Sequence, residues 1–427
     1  MFPITTLKRI IGDQIALTPE MIVKIEKWSR MYAGAASWCE EPVHSLRLEQ
    51  GIAREFANVA LNETSTSLSN ERLDRLYQKG IRDLNENLQA GLAKGAFIIK
   101  PLGNTGAVQY VTQDKFIPLQ FDSSGRLKKV VMLETQKITD TLYYIRFEFH
   151  LLENNMLIIR NKAYQSSDGQ TVGAEVPLTV FEDWKNLPEE IGYSIDYVDF
   201  GYYRNPIDNT IDGSKCGVSI FESATDIIQK ADIQFGRIDW EYESGERSIY
   251  VDITALKDEN GRTKRSKLIK TLDVGNREDF FEDYSPEMRD EAYIRGLEEY
   301  KRDIEFNVGL AYGDLSKVSE VEKTAEEVRS SKQRKYNTVK AIQDNLYDCL
   351  EDFAKALAFY NGMATVPNEF RCEFSDSILT DKDKERQRDR EEVAMGAMQM
   401  WEYRMKWYKE DEATAKAAVE KTAEVIE

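Results

Sequence analysis

Apolar residues recur at Ile220, Ala224, Ile227, Ala231, Phe235, Ile238 and Tyr242, in steps of three and four. That spacing keeps one side of an α-helix apolar over several turns, so the helix needs a packing neighbour along its length. The segment that follows, Lys257 to Lys270 (KDENGRTKRSKLIK), carries six Lys or Arg against two acids. Beyond it, Ser285-Pro286 gives a helix-start signal, and Tyr293, Leu297, Ile304 and Val308 mark a second long helix. This order predicts a bracket: two helices side by side, with a short basic hairpin carried to an exposed end.

The rest of the chain changes period in blocks. Thr18 before Pro19 is a capping signal, and Ile22, Ile25, Trp28 and Tyr32 mark the buried face of the helix it starts. A second helix carries Leu48, Ile52, Phe56 and Val59. A third is expected over roughly Asn70 to Lys94, with Leu73, Leu76, Leu84 and Leu88 inward. From Ala96 to about Val180 the pattern alternates, and turn clusters such as Gly103-Asn104-Thr105-Gly106 and Glu153-Asn154-Asn155 separate the strand-like runs. The runs are Ala96–Lys100, Val108–Thr112, Leu127–Leu133, Leu142–His150 and Met156–Tyr164, which reads as one antiparallel meander. The stretch past Asp183 reads as irregular until Asn205-Pro206. After Gly313 comes a polar segment, then a long helix from about Thr324 to Tyr360 with Val339, Ile342, Leu346, Phe353 and Leu357 on its apolar face. A brief strand at Arg371–Phe374 and a charge-dense helical tail complete an α+β chain.

Composition narrows the function classes. The 427 residues carry 57 Lys or Arg and 75 Asp or Glu, a formal charge of −18. That balance argues against sequence-specific DNA binding, whose affinity rests largely on Lys and Arg at phosphates. It is compatible with DNA passing without adhesion, and also with simple dispersal of a water-soluble protein. Cys39, Cys216, Cys349 and Cys372 show no CxxC spacing, so neither zinc nor a disulfide framework is expected. No apolar run suits a leader or a membrane span, and the expected compartment is a reducing cytoplasm.

Histidine chemistry has little support, because His44 and His150 lie beside no nucleophile motif. No GxxxxGK[ST] phosphate loop occurs. The carboxylates around Asp381 and Asp383 alternate with Lys and Arg and read as a solvated helix face. No cofactor, metal or catalytic residue is therefore expected.

Several strings, taken in order, resemble the portal proteins of tailed bacteriophages, in the branch common in siphophages of Gram-positive hosts. They are IEKWSRMYAGAASW (Ile25–Trp38), GIAREFANVALNE (Gly51–Glu63), GVSIFESATDIIQKADIQFGRIDWE (Gly217–Glu241), SPEMRDEAYIRGLEEYKRDIEFNVGL (Ser285–Leu310), KTAEEVRSS (Lys323–Ser331) and EFSDSILTDKDKE (Glu373–Glu385). The resemblance implies a mainly helical α+β portal fold: wing 1–214, first stem helix 215–248, clip 249–279, second stem helix 280–312, tunnel loop 313–323, a long helix 324–372 returning to the wing, and crown 373–427. It implies a ring, usually of twelve subunits, at one capsid vertex of the virion, through which double-stranded DNA is packaged and ejected. The implied partners are further copies of the chain, the large terminase, the head-tail connector, and the major capsid and scaffold proteins.

On this resemblance, the clip residues Lys257, Arg262, Lys264, Arg265, Lys267 and Lys270 are expected to dock partners, and Asp314, Ser316, Lys317, Ser319 and Lys323 to face DNA from a mobile loop. Ile220, Ile227, Phe235, Ile238 and Tyr242 are expected to pack between subunits. The rival readings are another virion structural subunit, and a soluble ligand-binding protein or enzyme with a defined pocket.

Overall fold

The computed structural model describes residues 2–12, 15–62, 64–245, 248–252, 269–272, 281–284, 287–317, 325–365, 368–374, 382–408 and 410–424. It is a mixed α+β protein, and among the described residues the β-pairing is antiparallel except at one strand pair.

Helices α1 (Ile4–Ile11), α2 (Pro19–Tyr32) and α3 (Leu48–Leu61) open the chain. The α2 start follows the sequence signal: Thr18 Oγ1 accepts the Met21 amide at 3.2 Å and Pro19 occupies the first turn. Met21, Ile22, Ile25, Trp28 and Met31 are buried, whereas Tyr32 is only half-buried. A short strand, β1 (Ser65–Leu68), leads to α4 (Glu71–Gly80) and α5 (Leu84–Lys94). The single helix expected over 70–94 is thus two. Gly80 and Asp83, both weak helix formers, flank the break. The two pieces also pack differently, α4 against the long helix Ala325–Tyr360 and α5 against α3. A Cβ at Gly80 would lie 2.9 Å from both the Phe353 ring and Val108.

The alternating region forms two sheets rather than one meander. β2 (Ala96–Pro101) and β3 (Val108–Thr112) form a hairpin, and β10 (Gly201–Arg204) pairs with the other edge of β2. β2 is buried along its length, as a central strand covered on both faces must be. The second sheet has the order β4 (Phe116–Phe121), β5 (Leu127–Thr139), β6 (Leu142–Glu153), β7 (Met156–Ser166), β8 (Glu175–Val176), and β9 (Glu190–Tyr193) also pairs with β7. Asn154 and Asn155, both at positive φ, make the tight β6–β7 turn. Sequence reading missed β4 because Pro118 interrupts it, and proline is tolerated there because β4 is an edge strand. It missed β9 and β10 because each is short.

α6 (Thr225–Ser244) and α7 (Asp290–Val308) enclose three short strands, β11 (Ser248–Asp252), β12 (Ile269–Leu272) and β13 (Phe281–Tyr284). The 36-residue α8 (Ala325–Tyr360) then runs back against β10, β2, α3 and α4. Val339, Ile342, Leu346, Phe353 and Leu357 are all fully buried, as their spacing predicts. β14 (Phe370–Glu373) pairs with β1, closing a long-range contact invisible to local pattern. α9 (Lys382–Ala394), α10 (Met400–Tyr408) and α11 (Glu412–Glu424) pack together at the end of the chain. One core cluster runs through α2, α3, α5, α6, α7 and α8, with Trp28, Phe56, Phe221 and Phe353 fully buried. Each such side chain contributes about 2–3 kcal/mol by leaving water. Among the described residues no helix is long and apolar enough to cross a membrane.

Candidate functional site: the α6–α7 bracket and the turn after it

α6 and α7 lie antiparallel, and side chains join them from end to end. Ser223 Oγ donates to the Asn307 carbonyl at 3.0 Å, Gln234 Nε2 to the Tyr293 carbonyl at 3.1 Å, and the Arg289 guanidinium to Glu241 Oε2 at 3.0 Å. The Arg289 amide also donates to Glu241 Oε1 at 3.0 Å. The expected pairing of two long helices is therefore present, although its buried face differs from the one drawn from the sequence. The helix starts at Thr225, so Ile220 and Phe221 sit ahead of it, buried. Along the helix Ile228, Ala231, Asp232, Gln234 and Ile238 face inward, Ile227 and Phe235 are half-buried, and Tyr242 is exposed beside exposed Trp240. Ile220 and Ile238 are thus already covered by this chain's own core and offer no surface to a neighbour. Polar Asp232 and Gln234 take inward places because each meets a hydrogen-bond partner there, which no apolar stripe can signal.

At the end of the bracket β11 pairs with β12 in parallel and with β13 antiparallel, with Tyr250 opposite Lys270 and Val251 opposite Phe281. The expected basic hairpin is corrected here. Two strands running in parallel cannot be the arms of a tight-turn hairpin, so β11 and β12 are not the two arms of one. Lys257, Arg262, Lys264, Arg265 and Lys267 lie outside the described residues, as do Ser285 and Pro286. Lys270 lies on β12.

After α7 the chain turns at Gly309 (φ 84°) and meets a buried carboxylate. Glu305 Oε1 accepts the amides of Gly313 (3.1 Å), Leu315 (2.6 Å) and Ser316 (2.8 Å), while Oε2 accepts the Ser316 hydroxyl (2.9 Å). Asp314 Oδ2 accepts the Ala311 amide at 2.9 Å and pairs with Lys335 of α8 at 3.0 Å; Lys335 also reaches Glu55 of α3 at 2.7 Å. The Lys317 amide donates to Glu298 at 2.7 Å. Of the residues expected on a mobile loop, Asp314 and Ser316 are therefore fixed to α7 and α8, and Lys317 is exposed. Four donors converging on one carboxylate hold the turn, and this was not legible because Glu305 is remote from an ordinary capping spacing. Ser319 and Lys323 lie outside the described residues.

A second buried polar cluster ties the two sheets to the end of α8. His150 Nδ1 lies 2.7 Å from Asp199 Oδ1, and Tyr360 donates its hydroxyl to Asp199 Oδ2 at 2.6 Å. His150 Nε2 is 3.2 Å from Glu148 Oε1, too poorly aligned for a hydrogen bond. Lys100 Nζ reaches Glu148 at 2.6 Å, and Arg146 bridges Glu148 (3.3 Å) and Glu134 (2.5 Å). Burial pulls His150 down, but the Asp199 and Glu148 charges outweigh it and lift the imidazole to about 9. The same cations hold Glu148 well below, and Asp199 below, the usual carboxylate range despite burial. His44 is exposed. Among the described residues no His, Cys, Asp and Glu cluster could hold a metal ion. An open cleft of about 680 Å³ near α1 and β3 is lined by Phe2, Glu26, Tyr110, Asp114 and Glu134. Two of its charges are already committed, Asp114 to Lys94 at 2.8 Å and Glu134 to Arg146.

No protein-family model matches this chain, and no curated protein matches it either.

Proposed function

We propose that this chain is a subunit of a phage portal ring, a non-enzymatic structural protein at the unique capsid vertex through which double-stranded DNA enters and leaves. The observation that carries the reading is the run of elements from α6 to α8. Two antiparallel helices are tied along their length and capped at one end by a small sheet, then a pinned turn leads into a 36-residue helix that returns to the body. In this reading α6 and α7 are the stem, β11 to β13 the clip, the two sheets with α1 to α5 the wing, and α9 to α11 the crown. The collinear strings of the sequence support it independently.

The mechanism is mechanical and electrostatic. On α7 the exposed i, i+4 row Glu291, Arg295, Glu299 and Asp303 is mostly acidic, and such a row repels phosphate and leaves DNA free to slide. DNA is then sensed by charge and diameter, with no base readout. Subunits close into a ring through the wing and stem faces left exposed after internal packing, Tyr242 and Trp240 among them. The basic segment from Lys257 to Lys270 docks the large terminase during packaging and the head-tail connector afterwards. Electron microscopy with particle mass on the full chain tests the reading. Rings with a channel of duplex width support it; a monomer that never closes at high concentration returns the chain to the ligand-binding class.

A further inference from the structure

Two buried carboxylates, Asp232 and Glu49, lie within electrostatic reach of each other where α6 packs on the segment leading into α3. Asp232 of α6 is fully buried and accepts hydrogen bonds from Trp38 Nε1 at 2.9 Å and the Leu46 amide at 2.8 Å. One turn on, Gly236 brings α6 so near that a Cβ there would lie 3.3 Å from the Pro42 carbonyl and 3.5 Å from Val43 Cα. Glu49, in the first turn of α3, is also fully buried, and among the described residues neither of its carboxylate oxygens has a hydrogen-bond partner. The guanidinium that acts on it, Arg47, is engaged elsewhere: its Nη1 donates to the Ala33 carbonyl at 2.7 Å. The Cys39 thiol lies 3.9 Å from Asp232, and Lys27 of α2 holds its ammonium over the Trp38 ring at 5.7 Å.

A buried carboxylate without partners strongly disfavours its charged form. We propose that Glu49 is a proton-operated latch: neutral, it lets the segment 38–49 close on α6, and its ionisation beside Asp232 loosens that contact. Burial pushes Glu49 up to about 7. Its own amide acts on the carboxylate without hydrogen-bond geometry and pulls down, Asp232 pushes further up, and Arg47 opposes. The sign follows. A carboxyl raised above its ordinary 4.5 favours the closed form most at low pH, and that preference is lost as pH rises to about 7. The latch lies within one chain and stands whether or not the portal reading does.

Hydrogen exchange of the full chain at pH 6 and pH 8, corrected for intrinsic rates, tests it. The amides of 38–49 and of α6 around Asp232 are expected to lose about tenfold or more in protection at pH 8, and Glu49→Gln to show equal protection at both. Equal protection in the native chain, or an unchanged pH response in Glu49→Gln, overturns the proposal. Infrared spectroscopy on the native chain gives a readout independent of any variant. A protonated carboxylic acid stretch at pH 6 that vanishes by pH 8 is expected, and its absence at pH 6 refutes the latch.

Discussion

Removing the carboxylate of Glu305 is predicted to release the turn after α7. Three backbone amides and one hydroxyl converge on it, at 2.6 to 3.1 Å. Hydrogen bonds to a charged group contribute about 1.5–3 kcal/mol each, but four sharing one buried carboxylate do not add in full. Desolvation of that charge offsets part of the gain, and each neutral donor left unsatisfied costs about 1–3 kcal/mol, so about 3–5 kcal/mol is expected for the four once water reaches some of them. Glu305→Ala is therefore expected to destabilise the chain by about that amount. Glu305→Gln keeps an oxygen for the three amides and offers an N–H to the Ser316 hydroxyl, so its cost falls to about 1–2 kcal/mol. Urea unfolding gives the totals, and hydrogen exchange at Gly313, Leu315 and Ser316 locates them. The reasoning fails if the alanine variant loses under about 1 kcal/mol with those amides still protected, or if glutamine is as damaging as alanine.

Three further outcomes are expected. His150, raised from 6.5 to about 9 by its carboxylates, contributes stability that is fully present below pH 6.5 and lost as pH rises through about 9. The difference in unfolding free energy from urea titration between the native chain and His150→Gln should shrink across that window, starting from roughly 3 kcal/mol at most. Gly201→Ala places a Cβ 2.2 Å from the Cys349 carbonyl of α8, so it should cost about 3 kcal/mol and lower the melting temperature, and a neutral effect would contradict the close approach. On the proposed portal reading, changing Lys264 and Arg265 to Glu is expected to weaken terminase or connector binding in pull-down and to leave ring assembly by electron microscopy unchanged; lost rings or undisturbed docking would count against that role.

Periodicity made the long elements legible. α8 spans Ala325–Tyr360 against an expected Thr324 to Tyr360, and Thr18-Pro19 starts α2 as its chemistry predicts. What stayed hidden has three physical origins. Short strands such as β9 and β10 carry too few residues to show a period, and β1 with β14 joins positions about 300 residues apart. α6 buries Asp232 and Gln234 because partners from other segments satisfy them, so its inward face departs from the apolar stripe. The pinning of Asp314 and Ser316 depends on Glu305 and Lys335, which a reading of local composition treats as ordinary surface charges.

α8 gives the molecule a mechanical property. At 1.5 Å per residue, its 36 residues make a rod of about 54 Å. Near one end Lys335 holds the turn after the bracket, and at the other Tyr360 holds Asp199 in the charge network between the sheets. A helix cannot lengthen appreciably without breaking its own hydrogen bonds, so tension applied at the turn is carried along α8 to the far anchor, roughly 37 Å away. The bracket and the two sheets are in this sense the two grips of a single lever.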